Sequence, residues 1–565
     1  MRVLFETRIR RFGFFGMKPR LSLALALLVF SMFPISVSSQ SLVADPNDPI
    51  YSDLDEWEAK RLIGNLPIAR PYPLSLVREL LGVIAQDGDE DDCSRALKHL
   101  DSLKDSGNLT IRHTSRSDFS AYRAEQAPGF IANAQLLPGL CVSANYSMWI
   151  NWFSEPGNTL RPLYSTTRSD NELFNMDSDT FGNQFGTYQE IISDVSFGST
   201  DFWLQAGIGR NSVGPIFEDG LVVGPQAPTA PRILAGFRIG KATGVSGLYE
   251  LTASTDSGEG KALGKHMFFH GIQYELSPSV SIGINETILG GGAVNPIYLI
   301  PLSVFYSSQW RDGFWYSNSA FSVSASVIPV KGVIADCVIY IDDPHLKDML
   351  SLRLDTKWKM AGQLQLTAYL NDSLIKKMRA SYSMVAPYTY THWNSQPSNS
   401  YNFETYTNMG MNFGPNLQPN SDRIGLSFDI KPIRAGEFWK DIRISSNFEL
   451  VRHGNASAGV RGMDDPRYDG SIFDDGVVNG VASFQPEYDT GTTPKYFRFL
   501  TQEVIEYNAR AGFNLFIPAI HDEGKRKACF SYSLSYEIEM VWNSSFVKGA
   551  NVLNSYISGG VSLFL

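Results

Sequence analysis

Residues Phe530 to Trp542 read FSYSLSYEIEMVW, and their alternation decides the fold. Phe530, Tyr532, Leu534, Tyr536, Ile538, Met540 and Trp542 fall on one face of an extended chain, and Ser531, Ser533, Ser535, Glu537 and Glu539 fall on the other. Successive strand side chains point to opposite faces, so this is a strand with one apolar and one polar side. The same period runs through Ile505, Tyr507, Ala509, Ala511, Phe513, Leu515 and Ile517 against Glu506, Asn508, Arg510 and Asn514. It recurs in Ile442, Ile444, Phe448 and Leu450 against Arg443, Asn447 and Glu449, and in Leu352, Leu354, Trp358 and Met360 against Arg353, Asp355, Lys357 and Lys359.

These runs exceed the usual strand of about five or six residues and match the roughly nine to eleven that a tilted strand needs to cross a bilayer. An apolar face backed by full charges is the pattern of an outer-membrane barrel, with lipid outside and a polar lumen inside. Closure also removes the unpaired edges that such long strands would expose. At the C-terminus Ile557, Val561, Leu563 and Leu565 alternate with Tyr556, Ser558, Ser562 and Phe564. This amphipathic ending, with a penultimate aromatic, resembles the assembly signal of bacterial outer-membrane proteins. It makes the barrel-assembly machinery an expected partner. Counting at about 25 residues per strand and connection predicts roughly 16 to 20 strands. A soluble sandwich or propeller is the competing reading, and no blade-length repeat supports it.

Composition agrees. Of 565 residues, 43% are hydrophobic and only 19% charged, which excludes a disordered chain. The net charge of −10 argues against neutralising nucleic-acid phosphates. The mean hydropathy of −0.13 is too low for a bundle of membrane helices. Arg8, Arg10, Arg11, Lys18 and Arg20 precede the apolar run Leu21–Phe33, and Val37 and Ser39 suit a cleavage site before Gln40, so residues 1–39 read as a secretory signal. Met17 is an alternative start. The expected destination is the outer membrane of a diderm bacterium.

Residues 40–109 read differently, as a periplasmic helical bundle ahead of a barrel over 110–565. Ser52 and Asp55 resemble a capping box, Leu54, Trp57, Arg61 and Leu62 recur at helical spacing, and Gly64 suits a C-cap. A second helix is expected over Leu74–Ala85. A third is expected over Ser94–Lys104, with Leu97, Leu100 and Leu103 on one face. The acidic stretch Asp87–Asp92 between them lacks the glycine and the closing glutamate of a calcium loop and reads as a solvated linker. Cys93, Cys141, Cys337 and Cys529 show no metal or redox spacing and read as buried or sheet-face thiols. No H-E-x-x-H, G-x-S-x-G or P-loop occurs, so neither an enzyme nor a cofactor or metal is expected.

Several ordered blocks resemble the capsule assembly (Wzi) family. They are DPIYSDLDEWEAKRLIGNLP (Asp48–Pro67), LQAGIGRNSVGPIFEDGLVVGPQAPTAPR (Leu204–Arg232), FHGIQYELSPSVSIGINETILGGG (Phe269–Gly292), KGVIADCVIYIDD (Lys331–Asp343) and FGPNLQPNSDRIGLSF (Phe413–Phe428). Ser212-Val213 stands where the family tends to have tryptophan, and Tyr316–Ser326 lacks an aspartate common there. The resemblance implies a monomeric outer-membrane barrel of about eighteen antiparallel strands with a small N-terminal α-helical bundle. It implies binding of exported surface or capsular polysaccharide, with no catalysis.

Among the charged residues inside these blocks, Arg210, Glu286, Asp342 and Asp343 are the site candidates. They read either as hydrogen-bonding partners of sugars or as an interior ion network. Trp310, Trp315, Tyr298, Tyr306 and Tyr316 read either as a sugar-stacking platform or as the aromatic girdle at the lipid interface. Tyr388, Tyr390, His392 and Trp393 form a second surface-loop candidate. A porin or substrate-specific channel is the alternative function, and a structural or adhesive protein of an acapsular lineage is a third.

Overall fold

The computed structural model describes residues 42–154, 175–176, 185–255, 261–300, 303–311, 317–342, 359–370, 374–387, 389–392, 401–430, 442–454, 477–478, 481–482, 499–500, 504–517 and 529–564. The signal sequence, Asp343, Trp315, Tyr316, Tyr388, Trp393 and most of the strand expected at Leu352–Met360 lie outside them.

Eighteen antiparallel strands close into a barrel. They are β1 (Ser106–Ser117), β2 (Tyr122–Leu137), β3 (Leu140–Phe153), β4 (Phe185–Gly198), β5 (Phe202–Gly209) and β6 (Ala230–Ile239). Next come β7 (Ala242–Thr255), β8 (Lys261–Ser277), β9 (Val280–Gly291), β10 (Ser317–Val330), β11 (Val333–Asp342) and β12 (Lys359–Tyr369). The last are β13 (Ile375–Val385), β14 (Ser421–Ile430), β15 (Arg443–Gly454), β16 (Ile505–Ile517), β17 (Cys529–Trp542) and β18 (Asn551–Phe564). The first begins at Ser106, slightly ahead of the expected boundary. The last zips onto the first, from Ser117↔Ile557 to Thr110↔Phe564, so no long edge is left open. The chain enters and leaves at the end of the barrel that carries tight hairpins such as β2–β3 and β10–β11. Long connections leave the other end.

The alternation read from the sequence sets the wall. Leu204, Ile233, Ile284, Val323, Ile339, Leu364, Ile424, Phe448 and Leu553 are exposed on the outside, where a lipid solvent favours them. Cys337 shares that outer row, and Cys93, Cys141 and Cys337 are free thiols.

Three helices form the head: α1 (Pro49–Ala59), α2 (Leu74–Asp87) and α3 (Glu90–Ser102). Helix α1 starts earlier than the expected capping box. Asp48 caps it through Ile50 N–H, Pro49 takes the first turn, and Lys60 rather than Gly64 ends it. The acidic stretch is not a linker. Asp89 caps α3 and Glu90, Asp91 and Asp92 fill its first turn, where the helix dipole favours negative charge. Asp92 is then buried, accepting from Trp57 Nε1 at 2.9 Å and pairing with Lys60 at 3.0 Å and with Arg95. Leu97, expected in the core, is exposed, whereas Leu103 is buried.

The head is tied to the tight-hairpin end. Gly332 turns β10 into β11 at φ +86°, which disfavours any side chain, and its N–H donates to Ala59 O at 2.9 Å. Arg61 reaches Ile328 O. Behind the head, residues 67–70 continue into the lumen and pair with the β5–β6 connection, Ala69↔Val213 and Arg70↔Ser212.

The main hydrophobic core runs from the helical head into the barrel lumen. Two connections from the long-loop end, residues 210–229 and the described residues 386–387, 389–392 and 401–420, fold inward and lock together. Tyr390 and Tyr406 hydroxyls donate to Leu221 O (2.8 Å) and Val222 O (2.7 Å), and Gly224 N–H donates to Phe413 O (3.0 Å). Their aromatic rings pack on wall residues: Tyr340 stacks on Tyr390 at 4.9 Å and Tyr249 meets Phe413 edge-on at 5.9 Å. Trp203 presses so closely on β6 that a side chain at Gly236 would overlap its ring.

Candidate functional site in the lumen

The inward connections are held by charges projecting from the wall. Arg379 and Lys377 pair with Glu218, Arg423 pairs with Asp219, and Asp219 also accepts from Asn416 N–H at 2.9 Å. Lys265 donates to Thr405 O, and Lys359 to Thr391 O at 2.8 Å. The plug therefore rests on β5–β14, whose inward rows hold Trp203, Tyr249, Phe269 and Tyr340.

The opposite wall is different. Along β15–β18 and β1–β4 the inward rows are mostly polar and in part exposed, with buried apolar exceptions such as Ile131 and Ile192, which pack on Leu42 and Ala44. Arg116 pairs with Glu537 at 3.5 Å and lies over the Tyr556 ring at 4.6 Å. Arg510 bridges Glu449 (3.7 Å) and Glu539 (3.4 Å), and Glu539 also accepts from Asn508 and Asn554. Arg112 faces Asn145 at 3.0 Å and Glu190 at 4.0 Å. Arg443 and Asn514, in the same inward rows, are exposed. This wall presents guanidinium, carboxylate, amide and phenol groups side by side. Such a surface hydrogen-bonds polyhydroxylated or charged solutes.

A small enclosed cavity of about 40 Å³ lies where the head meets the wall, room for a water or two. Asp55, Glu58, Glu218, Gln273, Asp336 and Lys377 line it. Burial pushes the Glu58 carboxyl up to about 8, against a hydrogen bond from Leu66 N–H, and Asp55 and Asp336 add repulsion. Burial would also raise Asp53, but His99, Arg443 and Arg95 outweigh it and hold that carboxyl well below the usual range. Among the described residues no group of three or more His, Cys, Asp or Glu is placed to hold a metal ion.

The sequence-predicted site residues do not converge. Arg210 is luminal, paired with Glu190 at 3.0 Å and Asp45 at 3.7 Å. Asp342 is buried and accepts from Tyr390 N–H at 2.8 Å, so it anchors the plug. Tyr390 is fully buried within that plug, and His392 pairs with Glu404 there at 2.7 Å. This corrects the expected surface loop. Glu286 lies on the outer wall under the β9–β10 connection, where Tyr306 N–H donates to it at 2.8 Å, and Tyr298 is buried on the underside of that connection. Glu286 therefore joins neither a luminal ion network nor an open sugar site, and the Tyr298 ring faces the wall rather than solvent. Trp310 belongs to the short helix α4 (Phe305–Arg311) of the same connection. Arg116, Arg510, Glu537 and Tyr556 were missed as a site. Their signal was present, since Glu537 and Arg510 lie in the polar rows of the clearest strands.

No protein-family model matches the sequence, and no curated protein matches it. Solved structures do. Wzi of Escherichia coli, a carbohydrate-binding outer-membrane barrel involved in group 1 capsule assembly, aligns with a TM-score of 0.51 at 10% identity. The match covers 93% of this chain and 99% of that one. OprD of Pseudomonas aeruginosa aligns with a TM-score of 0.42 at 8% identity, over 82% of this chain and 95% of that one. At these identities the likeness concerns fold alone: this chain has the architecture of an outer-membrane β-barrel, closed by eighteen strands.

Proposed function

We propose that the protein is a non-conducting outer-membrane barrel that binds surface polysaccharide and assists its attachment or organisation at the cell surface. The observation that carries this reading is the division of the lumen. One wall is filled by two interlocked connections, and the other keeps a partly exposed row of paired charges around Arg116, Glu537, Arg510 and Tyr556. A filled lumen suits retention better than flux. Paired charges and amides suit hydroxyl-rich ligands, and the Tyr556 ring offers an aromatic surface among them. The fold likeness to the carbohydrate-binding Wzi barrel supports the same reading. Export by a cleaved signal over residues 1–39 and location in the outer membrane belong to it.

The test sets two measurements on the refolded full chain side by side. Retention on immobilised capsular or exopolysaccharide is expected, with no large conductance steps in planar bilayers. Large stable steps without glycan retention would overturn the proposal. A substrate-specific channel is the second reading, favoured by the exposure of the inward residues Arg443 and Asn514 toward the head end of the lumen, and that outcome would select it.

A further inference from the structure

The described parts of the connection between β9 and β10, residues 292–300 and 303–311, cover part of the outside of the barrel. On β8, Lys265 turns into the lumen to reach Thr405 O, and Met267 and Phe269 join the luminal core. Alternation therefore places His266, Phe268 and His270 on the outer face, in one row with exposed Ile272, Tyr274 and Leu276. On β9, Glu286 and Ile288 stand opposite His270 and Phe268 and continue the outer row of exposed Ile282 and Ile284. Yet Phe268 and Ile288 are only 3% and 1% exposed. Tyr298 and Phe305 of the covering connection pack on them, with ring centroids of Phe268 and Tyr298 5.2 Å apart.

Glu286 is satisfied by the same cover. It accepts from Phe305 N–H at 2.9 Å and Tyr306 N–H at 2.8 Å, and it faces His270 Nε2 at 3.2 Å. In register, its β10 neighbour is Phe321, in the outer row with Val323. Glu286 thus stands within the apolar band, where an uncovered carboxylate would meet hydrocarbon. The far side of the cover is itself apolar: Leu299, Ile300 and Val304 are 45%, 54% and 57% exposed.

We propose that this connection is a membrane-embedded flap whose Leu299, Ile300 and Val304 contact the lipid acyl chains of the leaflet at the long-loop end. The occupant is lipid because the patch is continuous with the lipid-facing wall formed by Ile282, Ile284 and Val323. A water-facing cover would have no use for these three side chains. The flap hides the polar Glu286–His270 pair from hydrocarbon and replaces it with an apolar surface, as an interfacial helix does when it lies in a leaflet.

The test places a genetically encoded environment-sensitive fluorophore at Val304, at Leu299, at Ile284 as the lipid-wall reference and at Leu97 of the head as the water reference. The full chain is reconstituted in phosphatidylcholine vesicles carrying doxyl-labelled acyl chains. Quenching at Val304 and Leu299 is expected to match Ile284 and to exceed Leu97 at least twofold. Quenching at both positions nearer the Leu97 value would overturn the proposal. So would self-association that shields both from doxyl lipid, because a second copy would then cover the patch. Glycan retention does not enter this readout, so its outcome stands apart from the proposed function.

Discussion

Glu58→Gln isolates the electrostatics that seat the head in the barrel end. Glu58 is half-buried beside Asp55 and Asp336, with Arg70 the nearby cation, and Glu218 and Lys377 line the same cavity. A carboxyl whose pKa rises on folding keeps its proton longer in the folded state. The stability it supports is complete below about 4.5, declines as pH rises, and is fully lost at about 8. That interval, at about 1.4 kcal/mol per pH unit, bounds the loss at about 5 kcal/mol. Local opening of the head relieves the buried charge and sets where the loss saturates. Asp53 and Glu56 act in the opposite sense. Their carboxyls are lowered, so their support is present above the ordinary carboxylate range and fails in acid. The head is therefore expected to be tightest near pH 5.

Amide exchange of α1 and Leu66, read by mass spectrometry from pH 5 to 9 and corrected for intrinsic rates, follows this directly. Wild-type protection should fall by up to about three orders of magnitude across the range. Glutamine keeps the acceptor for Leu66 N–H and carries no charge, so Glu58→Gln should match wild type at pH 5 and lose most of the slope. A flat wild-type profile, or an unchanged slope in the variant, refutes the reasoning.

Three further outcomes are expected. Glu286→Ala removes the acceptor of two N–H groups at the start of α4, a loss comparable to an N-cap at about 1 kcal/mol. Proteolysis within residues 292–311 should quicken while the barrel persists, with Glu286→Gln between the two. Arg116→Ala should weaken glycan retention about tenfold, since it strips the cation from Glu537 and Tyr556 in the open wall, and the barrel's melting behaviour should change little. Unboiled protein should migrate faster on gels than boiled protein, because a closed, fully paired sheet resists detergent until heated. Identical migration would refute closure.

The wall was legible because a period of two is a local property, read without knowing any partner. The cap of α1 was legible in principle too, since Asp48-Pro49 is a helix start, but Ser52 and Asp55 offered a rival signal one turn later. The stretch Asp87–Asp92 looked like a solvated linker because its acids share no apolar period. Only the tertiary contact of Asp92 with Trp57, Lys60 and Arg95 gives it a core role. Tyr390 and Tyr406 could not be placed from sequence. A tyrosine amid Ser, Asn and Pro reads alike on a surface loop and in a plug, and what decides is a distant carbonyl such as Leu221 O or Val222 O.

Where the alternation fails, it fails in two opposite ways, and each marks a covering connection. On β7, β8 and β11 the inward rows carry Val245, Tyr249, Met267, Phe269, Val338 and Tyr340, apolar where a wet lumen would ask for polar groups. Those positions rest against the plug. On β8 and β9 the outward rows carry His266, His270 and Glu286, polar where lipid would ask for hydrocarbon. Those positions rest under the flap. Strands β16, β17 and β18 keep the alternation over most of their length, with Val541 an apolar inward exception, and the main core takes no residue from them. On β7, β8, β9 and β11 the breaches in the pattern coincide with a third neighbour, the plug on the inner face and the flap on the outer one. On β17 the inward stretch Ser533, Ser535 and Glu537 is polar and reaches solvent, whereas Ser531 and Glu539 at its ends are buried, so the open part of the wall centres on Glu537.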